Sequence, residues 1–192
     1  MLMLTGIIVI TLLFSFVFYL ILIYNNLISL KNNVAKNWAN IDVLLKQRYA
    51  ELPKLIDACQ TYMAYEQETL TKVVDARKSA LSATESKDLT ALSQAETSLK
   101  LGLSKLFALS ENYPDLKANA SFQQLQNRIS ELENTIADRR ELYNNSVNIN
   151  NTRIEQVPDV FVARAFHFVA FDLLKISEEE AQDISVNKQF NA

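Results

Sequence analysis

The first thirty residues carry no charged side chain, and this feature constrains the fold more than any other. All 19 Lys and Arg and all 22 Asp and Glu lie at or beyond Lys31. The run from Ile7 to Tyr24 is apolar except for Thr11 and Ser15. A helix of that length spans roughly 27 Å, close to the ~30 Å of a bilayer core. We therefore predict a transmembrane anchor at residues 1–26, with candidate lipid-facing residues Ile7, Ile8, Leu12, Phe14, Phe18, Leu22 and Tyr24.

The anchor is predicted to be uncleaved, and the sequence also predicts its orientation in the membrane. A secretory signal peptide needs a basic start and a small-x-small cleavage site, and the leader has neither. Lys31 and Lys36 follow the span, so the positive-inside rule places the N-terminus outside and the large domain in the cytoplasm. An unpaired Cys59 fits a reducing compartment. The expected location is the bacterial inner (cytoplasmic) membrane.

Composition excludes most β architectures and several chemistries. Two Gly and three Pro are too few for the tight turns of a barrel, sandwich or doubly wound sheet. One Cys and one His cannot form a four-ligand zinc site, and glycine-rich phosphate loops cannot be written. The net charge of −3 argues against a nucleic-acid footprint. We predict no catalytic site, no cofactor or metal, and neither a nucleic-acid nor a small-molecule partner.

The soluble part is predicted to be all-α. Apolar residues recur at alternating steps of three and four, which is typical of a helix packed against another helix. The first such series, which only Arg48 interrupts, is Leu27, Leu30, Val34, Trp38, Ile41, Leu45, Arg48, Leu52, Leu55, Cys59 and Met63. It continues directly from the anchor and predicts one helix over residues 27–81, kinked at Pro53. The predicted bundle comprises residues 27–176.

Two further long helices follow. The hydroxyl-rich segment at 82–87 predicts a break, and a second helix is expected over 88–112, ended by Pro114. A third helix is predicted over 120–155, through an asparagine-rich stretch. Short links between long helices favour antiparallel neighbours, so we expect an elongated antiparallel bundle.

A last helix is predicted over residues 158–176. It carries four aromatic residues, Phe161, Phe166, Phe168 and Phe171, and is apolar around most of its circumference. Such a segment must bury against something: the bundle itself, a neighbouring subunit, or the bilayer surface. The sequence leaves these alternatives open. Residues 177–192 are expected to be a flexible acidic tail.

Three blocks of this chain resemble the LemA family. The first contains Asn37-Trp38-Ala39-Asn40-Ile41-Asp42-Val43-Leu44-Leu45-Lys46-Gln47-Arg48-Tyr49 and Leu52-Pro53. The second is Arg139-Arg140-x-x-Tyr143-Asn144, and the third is Val157-Pro158 followed by Ala163-x-x-Phe166-x-Phe168. His167 stands where the family usually has Gly, and Val157 where it usually has Phe. The resemblance implies an N-terminal anchor and an antiparallel helical bundle of unassigned molecular function.

Several polar and aromatic residues are candidates for packing or interaction. Asp42 and Lys46 have the spacing of an exposed stabilising pair. Arg48 interrupts an apolar seam and is a candidate for a buried pair that fixes helix register, as is Asp42. Arg139 and Arg140 are possible partners of Asp42 or Glu51. Single candidates for packing are Trp38, Pro53, Tyr143 and His167.

These features favour a structural role. The helices are longer than one small core needs and the C-terminal segment has surplus aromatic surface, so we predict a membrane-anchored homo-oligomeric scaffold without catalytic activity. The alternative is an adaptor or regulator of another membrane protein. The family resemblance suggests a membrane protease of the HtpX type as its partner.

Overall fold

The computed structural model describes residues 2–175, and the predicted tail at 177–192 lies outside the described residues. The described chain is helical, without a strand, which confirms the all-α prediction. Six helices follow one another: α1 (Leu2–Gln60), α2 (Gln67–Ser86), α3 (Leu89–Ser110), α4 (Pro114–Lys117), α5 (Ala120–Glu155) and α6 (Asp159–Ala165).

The first helix runs without a break from the apolar segment into the soluble part, as predicted, but it ends at Gln60 rather than near Leu81. Residues 61–66 form a turn that contains neither Gly nor Pro, and α2 then begins at Gln67. Met63 is fully buried in this turn, and its backbone N–H donates to the carbonyl of Cys59 at 2.8 Å. Burial of the connection therefore overrides a local pattern that would have continued the helix.

The predicted break before residue 88 is present. Lys87 follows α2 with a positive φ of 57°, and the Asp88 side chain accepts from the backbone N–H groups of Thr90 and Ala91, at 3.0 and 2.9 Å. This is an ordinary helix N-cap. At the far end α3 stops at Ser110, and Pro114 begins the short helix α4 instead of directly ending α3.

The fifth helix spans Ala120–Glu155, as the apolar periodicity predicted for residues 120–155. It passes through the asparagine-rich stretch because some of those residues face protein. Asn150 is buried and Asn151 is half-buried. Their amides hydrogen-bond to each other and to the chain beyond α6. These contacts offset the poor helix propensity of Asn.

The predicted last helix over 158–176 is wrong in its extent. Only Asp159–Ala165 is helical, and residues 168–175 have no regular secondary structure. The helix stops because His167 adopts a φ of 56°. The N–H of Phe168 then donates to the carbonyl of Ala163, and that of His167 to Arg164. These two bonds form a Schellman cap.

The chain divides into two compact units, which are described separately. We call residues 40–141 with 173–175 the hairpin unit. Its core is built from α1, α2, α3 and α5, with α2 and α3 as an antiparallel pair. On α3, Gly102 lies against α2: a Cβ at this position would come 3.1 Å from Val73 Cγ2. The fully buried residues include Ile41, Leu45, Leu52, Leu70, Val73, Leu92, Leu99, Leu103, Phe122 and Ile129.

We call residues 2–39 with 142–172 the stalk unit. Here α1 and the last turns of α5 run antiparallel. Trp38 contacts Tyr143 edge-to-face, with ring centroids 5.7 Å apart, and Leu27 shares a core cluster with Ile154. The cluster also contains Ile23, Val162 and Ala163, so α6 closes over α1.

Candidate functional site

The exposed surface of α1 in the stalk unit is apolar. All predicted lipid-facing residues except Tyr24 are at least half exposed; they are Ile7, Ile8, Leu12, Phe14, Phe18 and Leu22. The most exposed of them, Phe14, has 75% of its surface accessible. Among the described helices, α1 is the one long and apolar enough to cross a membrane.

Burial in the stalk unit begins where the exposed apolar run ends. Ile23 and Leu27 are buried against Val162 and Ala163 of α6. Tyr24 contacts two aromatic residues that follow α6, Phe166 at a centroid distance of 4.8 Å and Phe168 at 6.0 Å. The predicted aromatic segment therefore packs around the base of the apolar run.

The four predicted aromatic residues do not share one environment. Phe168 and Phe171 are half-buried, whereas Phe161 and Phe166 are exposed over 66% and 61% of their surfaces. The segment thus closes over α1 with one side and leaves apolar surface on the other. His167 is exposed, so its prediction as a packing residue is wrong, because its backbone conformation turns it out of the helix.

The non-helical segment after α6 is held through its backbone. The side chain of Asn151 donates to the carbonyl of Phe171 at 2.8 Å and accepts from the N–H of the same residue at 3.0 Å. The hydroxyl of Tyr143 donates to the carbonyl of Asp172 at 2.9 Å. Burial, with a contribution from Asp172, raises the pKa of that hydroxyl. These bonds satisfy peptide groups that a helix would have paired internally.

A cleft of about 170 Å³ lies within the stalk unit, beside Tyr24. Lys31 of α1, Asn150 of α5 and the residues around His167 line it. Asn150 is 1% exposed, and its Oδ1 has no hydrogen-bond partner among the described residues. A buried acceptor without a donor is costly, so this cleft offers an open polar position.

The hairpin unit contains a buried ion-pair cluster around Arg48. The guanidinium is 3% exposed and pairs with the Glu96 carboxylate of α3, and its Nη1 lies 3.9 Å from Glu133 of α5. Glu96 also accepts from the Tyr49 hydroxyl at 2.6 Å. Burial opposes the charge of Arg48, but Glu96 outweighs this effect and the pKa of the guanidinium is raised. Burial and Glu96 also raise the pKa of Tyr49.

This cluster joins three helices through one cation. A cleft of about 130 Å³ opens beside it, lined also by Lys100 and Arg140. The sequence identifies Arg48 as a candidate for a buried pair but does not identify its partners, Glu96 and Glu133. A signal was present for Glu96, which lies four residues after Leu92 and three before Leu99, on the buried stripe of α3.

Other predicted polar contacts are at the surface. Asp42 pairs with Lys46 at 2.7 Å and Glu51 pairs with Lys54 at 3.0 Å. Both carboxylates thus have a partner about one turn away on α1 itself, which is reached without crossing between helices. Arg139 is exposed.

Pro53 lies inside α1 and the helix continues through it to Gln60. Proline has no N–H, so the carbonyl of Tyr49 loses its usual donor four residues later. Arg77 of α2 replaces that donor, with its Nε 2.7 Å from the Tyr49 oxygen. This contact could not be predicted, because nothing in the sequence around Arg77 links that residue to a proline on another helix.

The single thiol has no features of a reactive group. Cys59 is fully buried in the hairpin unit, and burial raises the pKa of its thiol to about 11. Within residues 2–175 no three His, Cys, Asp or Glu side chains are grouped so that they could hold a metal ion.

Comparison with known proteins agrees with the resemblance seen in the sequence. The family model described as the LemA family matches residues 37–188, which is most of the chain. The match includes both charged partners of Arg48, the Asn151 tether and α6. No match was found among curated proteins. The chain belongs to the LemA family.

Proposed function

For this member of the LemA family, which is not a known enzyme family, we propose a structural role in a membrane. The protein is a single-pass, non-catalytic scaffold that is anchored by residues 1–26 and associates with copies of itself. The observation that carries the proposal is the continuous apolar surface of α1, where Phe14 and its neighbours face outward.

The argument for anchoring is thermodynamic. Soluble proteins rarely expose a contiguous apolar patch larger than a few hundred Å². Nearly all side chains between residues 3 and 22 are exposed and apolar, whereas the apolar stripes of the hairpin unit face its core. A bilayer removes the first surface from water and satisfies it in the same way that protein neighbours satisfy the second.

Charged substitutions in α1 test the anchoring. A Lys at the centre of a membrane helix costs about 2.5–3.5 kcal/mol. We expect the double substitution Leu12→Lys and Phe16→Lys to release the full-length protein from membranes on carbonate extraction. Val43→Lys, at an exposed apolar position in the hairpin unit, is the matched control and should leave the protein in the pellet. Release of the unsubstituted protein would refute the anchor.

Self-association is proposed from exposed apolar residues on α5. Leu142 and Ile149 are each 47% exposed and lie seven residues apart, so they share one face of the helix. Confinement of copies to one membrane favours contact through such a face. The native thiol of Cys59 is buried and is not expected to crosslink, so crosslinking of a variant reports on the engineered cysteine.

Disulfide crosslinking tests the association. We expect Ile149→Cys to crosslink between copies in membranes, and Asn148→Cys, which is exposed about 100° around the same helix, to crosslink much less. Equal crosslinking at both positions would indicate random collision and contradict the proposal. A monomer that captures a second membrane protein would favour the alternative role as an adaptor, with an HtpX-type protease as the first candidate.

The proposed orientation has the N-terminus outside and the hairpin unit in the cytoplasm of a bacterial cell. Its support is the pair Lys31 and Lys36, which are exposed just beyond the apolar run. A protease added to spheroplasts should leave the hairpin unit intact and digest it only after lysis. Digestion before lysis would reverse the orientation.

A further inference from the structure

We propose that the cleft at the base of the anchor binds the headgroup of an anionic phospholipid that carries hydroxyl groups, of the phosphatidylglycerol type. The inference rests on the proposed membrane anchoring and assigns a ligand to one place in the stalk unit. Lys31 and His167 receive the phosphate, and Asn150 receives a headgroup hydroxyl.

The cleft lies at the depth where headgroups are found. The exposed apolar run ends at Leu22, and Lys31 follows nine residues later on the same helix, roughly 13 Å further along its axis. A lysine stem spans several Å and can reach back toward the apolar boundary. The headgroup layer adds roughly 5–8 Å to each side of the hydrocarbon core. The ammonium of Lys31 therefore reaches the phosphate layer.

The polar groups of the cleft match both the phosphate and the hydroxyl of such a headgroup. Lys31 supplies a cation, and the imidazole of His167 supplies a hydrogen-bond donor. The Asn150 amide is buried and its Oδ1 requires a donor from outside the described residues. A glycerol headgroup offers that donor, whereas phosphocholine has a phosphate but no donor.

The apolar rim of the cleft continues the surface of the anchor. Phe166 and Val169 line it and are 61% and 69% exposed. Phe166 also contacts the ring of Tyr24, at the end of the apolar run. Aromatic rings are favoured at this level of a bilayer. A lipid with its headgroup in the cleft would cover this rim with its glycerol backbone and upper acyl chain.

The test uses full-length protein in phosphatidylcholine nanodiscs to which phosphatidylglycerol is added in steps. His167 is the only histidine of the chain, so its ring NMR signals report on the cleft without assignment. We expect a saturable shift of these signals. Lys31→Gln should raise the half-saturating fraction of phosphatidylglycerol at least fivefold. Lys36→Gln, five residues further on and also exposed, is the matched control and should leave it unchanged.

Each other outcome overturns the inference. Absence of a saturable shift in protein that resists carbonate extraction rejects the headgroup site while leaving the anchoring intact. An equal effect of Lys36→Gln means that only general surface charge is sensed. An equal shift with inorganic phosphate, in discs without phosphatidylglycerol, means a free-phosphate site. Retention of phosphatidylcholine as strongly as phosphatidylglycerol in native mass spectrometry rejects the role of Asn150.

Discussion

The hairpin unit and the stalk unit treat their unusual residues in opposite ways. In the hairpin unit two exceptions to simple helix packing have partners on another helix: Arg48 is paired with Glu96, and the carbonyl freed by Pro53 is bonded to Arg77. In the stalk unit two other exceptions have no such partner. Its apolar surface is exposed and the acceptor of Asn150 has no donor among the described residues. The named exceptions of the first unit are satisfied by neighbouring helices, whereas those of the second leave an apolar surface and a buried acceptor without a protein partner among the described residues.

The largest expected effect tests the buried ion pair of the hairpin unit. Arg48→Met leaves the carboxylate of Glu96 without its cation, and should lower the free energy of unfolding by about 3 kcal/mol. Lys46→Met removes an ion pair with a lysine side chain that is 60% exposed and should change it by less than about 0.5 kcal/mol. Denaturant unfolding in mild detergent measures both. Similar effects of the two substitutions would mean that the buried cluster has no special weight.

A smaller effect concerns pH. The folded state holds the proton of Cys59 more tightly, because the pKa of its thiol is about 11 against an ordinary value near 9. This stabilisation is fully present below pH 9 and is lost as the pH rises through 11. The wild type should lose about 2 kcal/mol of unfolding free energy over that range that Cys59→Ala does not lose. Parallel pH profiles of the two proteins would show that the thiol is not protected by the core.

A double-mutant cycle tests the bond between Arg77 and the Tyr49 carbonyl. In the wild type, Arg77→Met leaves that carbonyl without a donor and should cost about 1–2 kcal/mol. In the Pro53→Ala protein the new N–H can donate to the same carbonyl, so the cost should fall by about 1 kcal/mol. Urea unfolding of the four proteins gives the coupling. Additive effects would show that Arg77 acts elsewhere.

The smallest expected effect compares the two units directly. Lys87 in the hairpin unit and His167 in the stalk unit each close a Schellman cap with positive φ. Lys87→Gly and His167→Gly should each raise the free energy of unfolding by up to about 1 kcal/mol, because glycine adopts this conformation without strain. Alanine at either position is the control and should give no gain. Thermal unfolding in detergent checks both; a loss of stability with glycine would contradict the assignment of strain to these turns.

Much of the helical architecture could be predicted because it depends on local periodicity. The bounds of α5 follow from its apolar stripe, and the break before Asp88 follows from hydroxyl and acidic residues that cap helices. The early end of α1 could not be predicted in this way. No Gly or Pro marks residues 61–66, and the turn exists because Met63 and the following helix bury against α1.

The partners within each site were harder to predict than the helices. A buried Arg48 requires a carboxylate, but the sequence does not say which helix provides it. The short extent of α6 depends on the backbone of His167, which adopts a φ of 56°. Glycine adopts this conformation without strain and would have marked the end of the helix in the sequence, whereas histidine gives no such signal.

The two hydrogen bonds between Asn151 and the Phe171 backbone have a consequence for the side chains that follow α6. The Asn151 amide hydrogen-bonds to both the N–H and the carbonyl of Phe171, and neither bond involves the Phe171 side chain. The position of the backbone therefore does not depend on which side chain stands at this position. The side chains around position 171 can therefore be exchanged while Asn151 keeps this part of the chain in place.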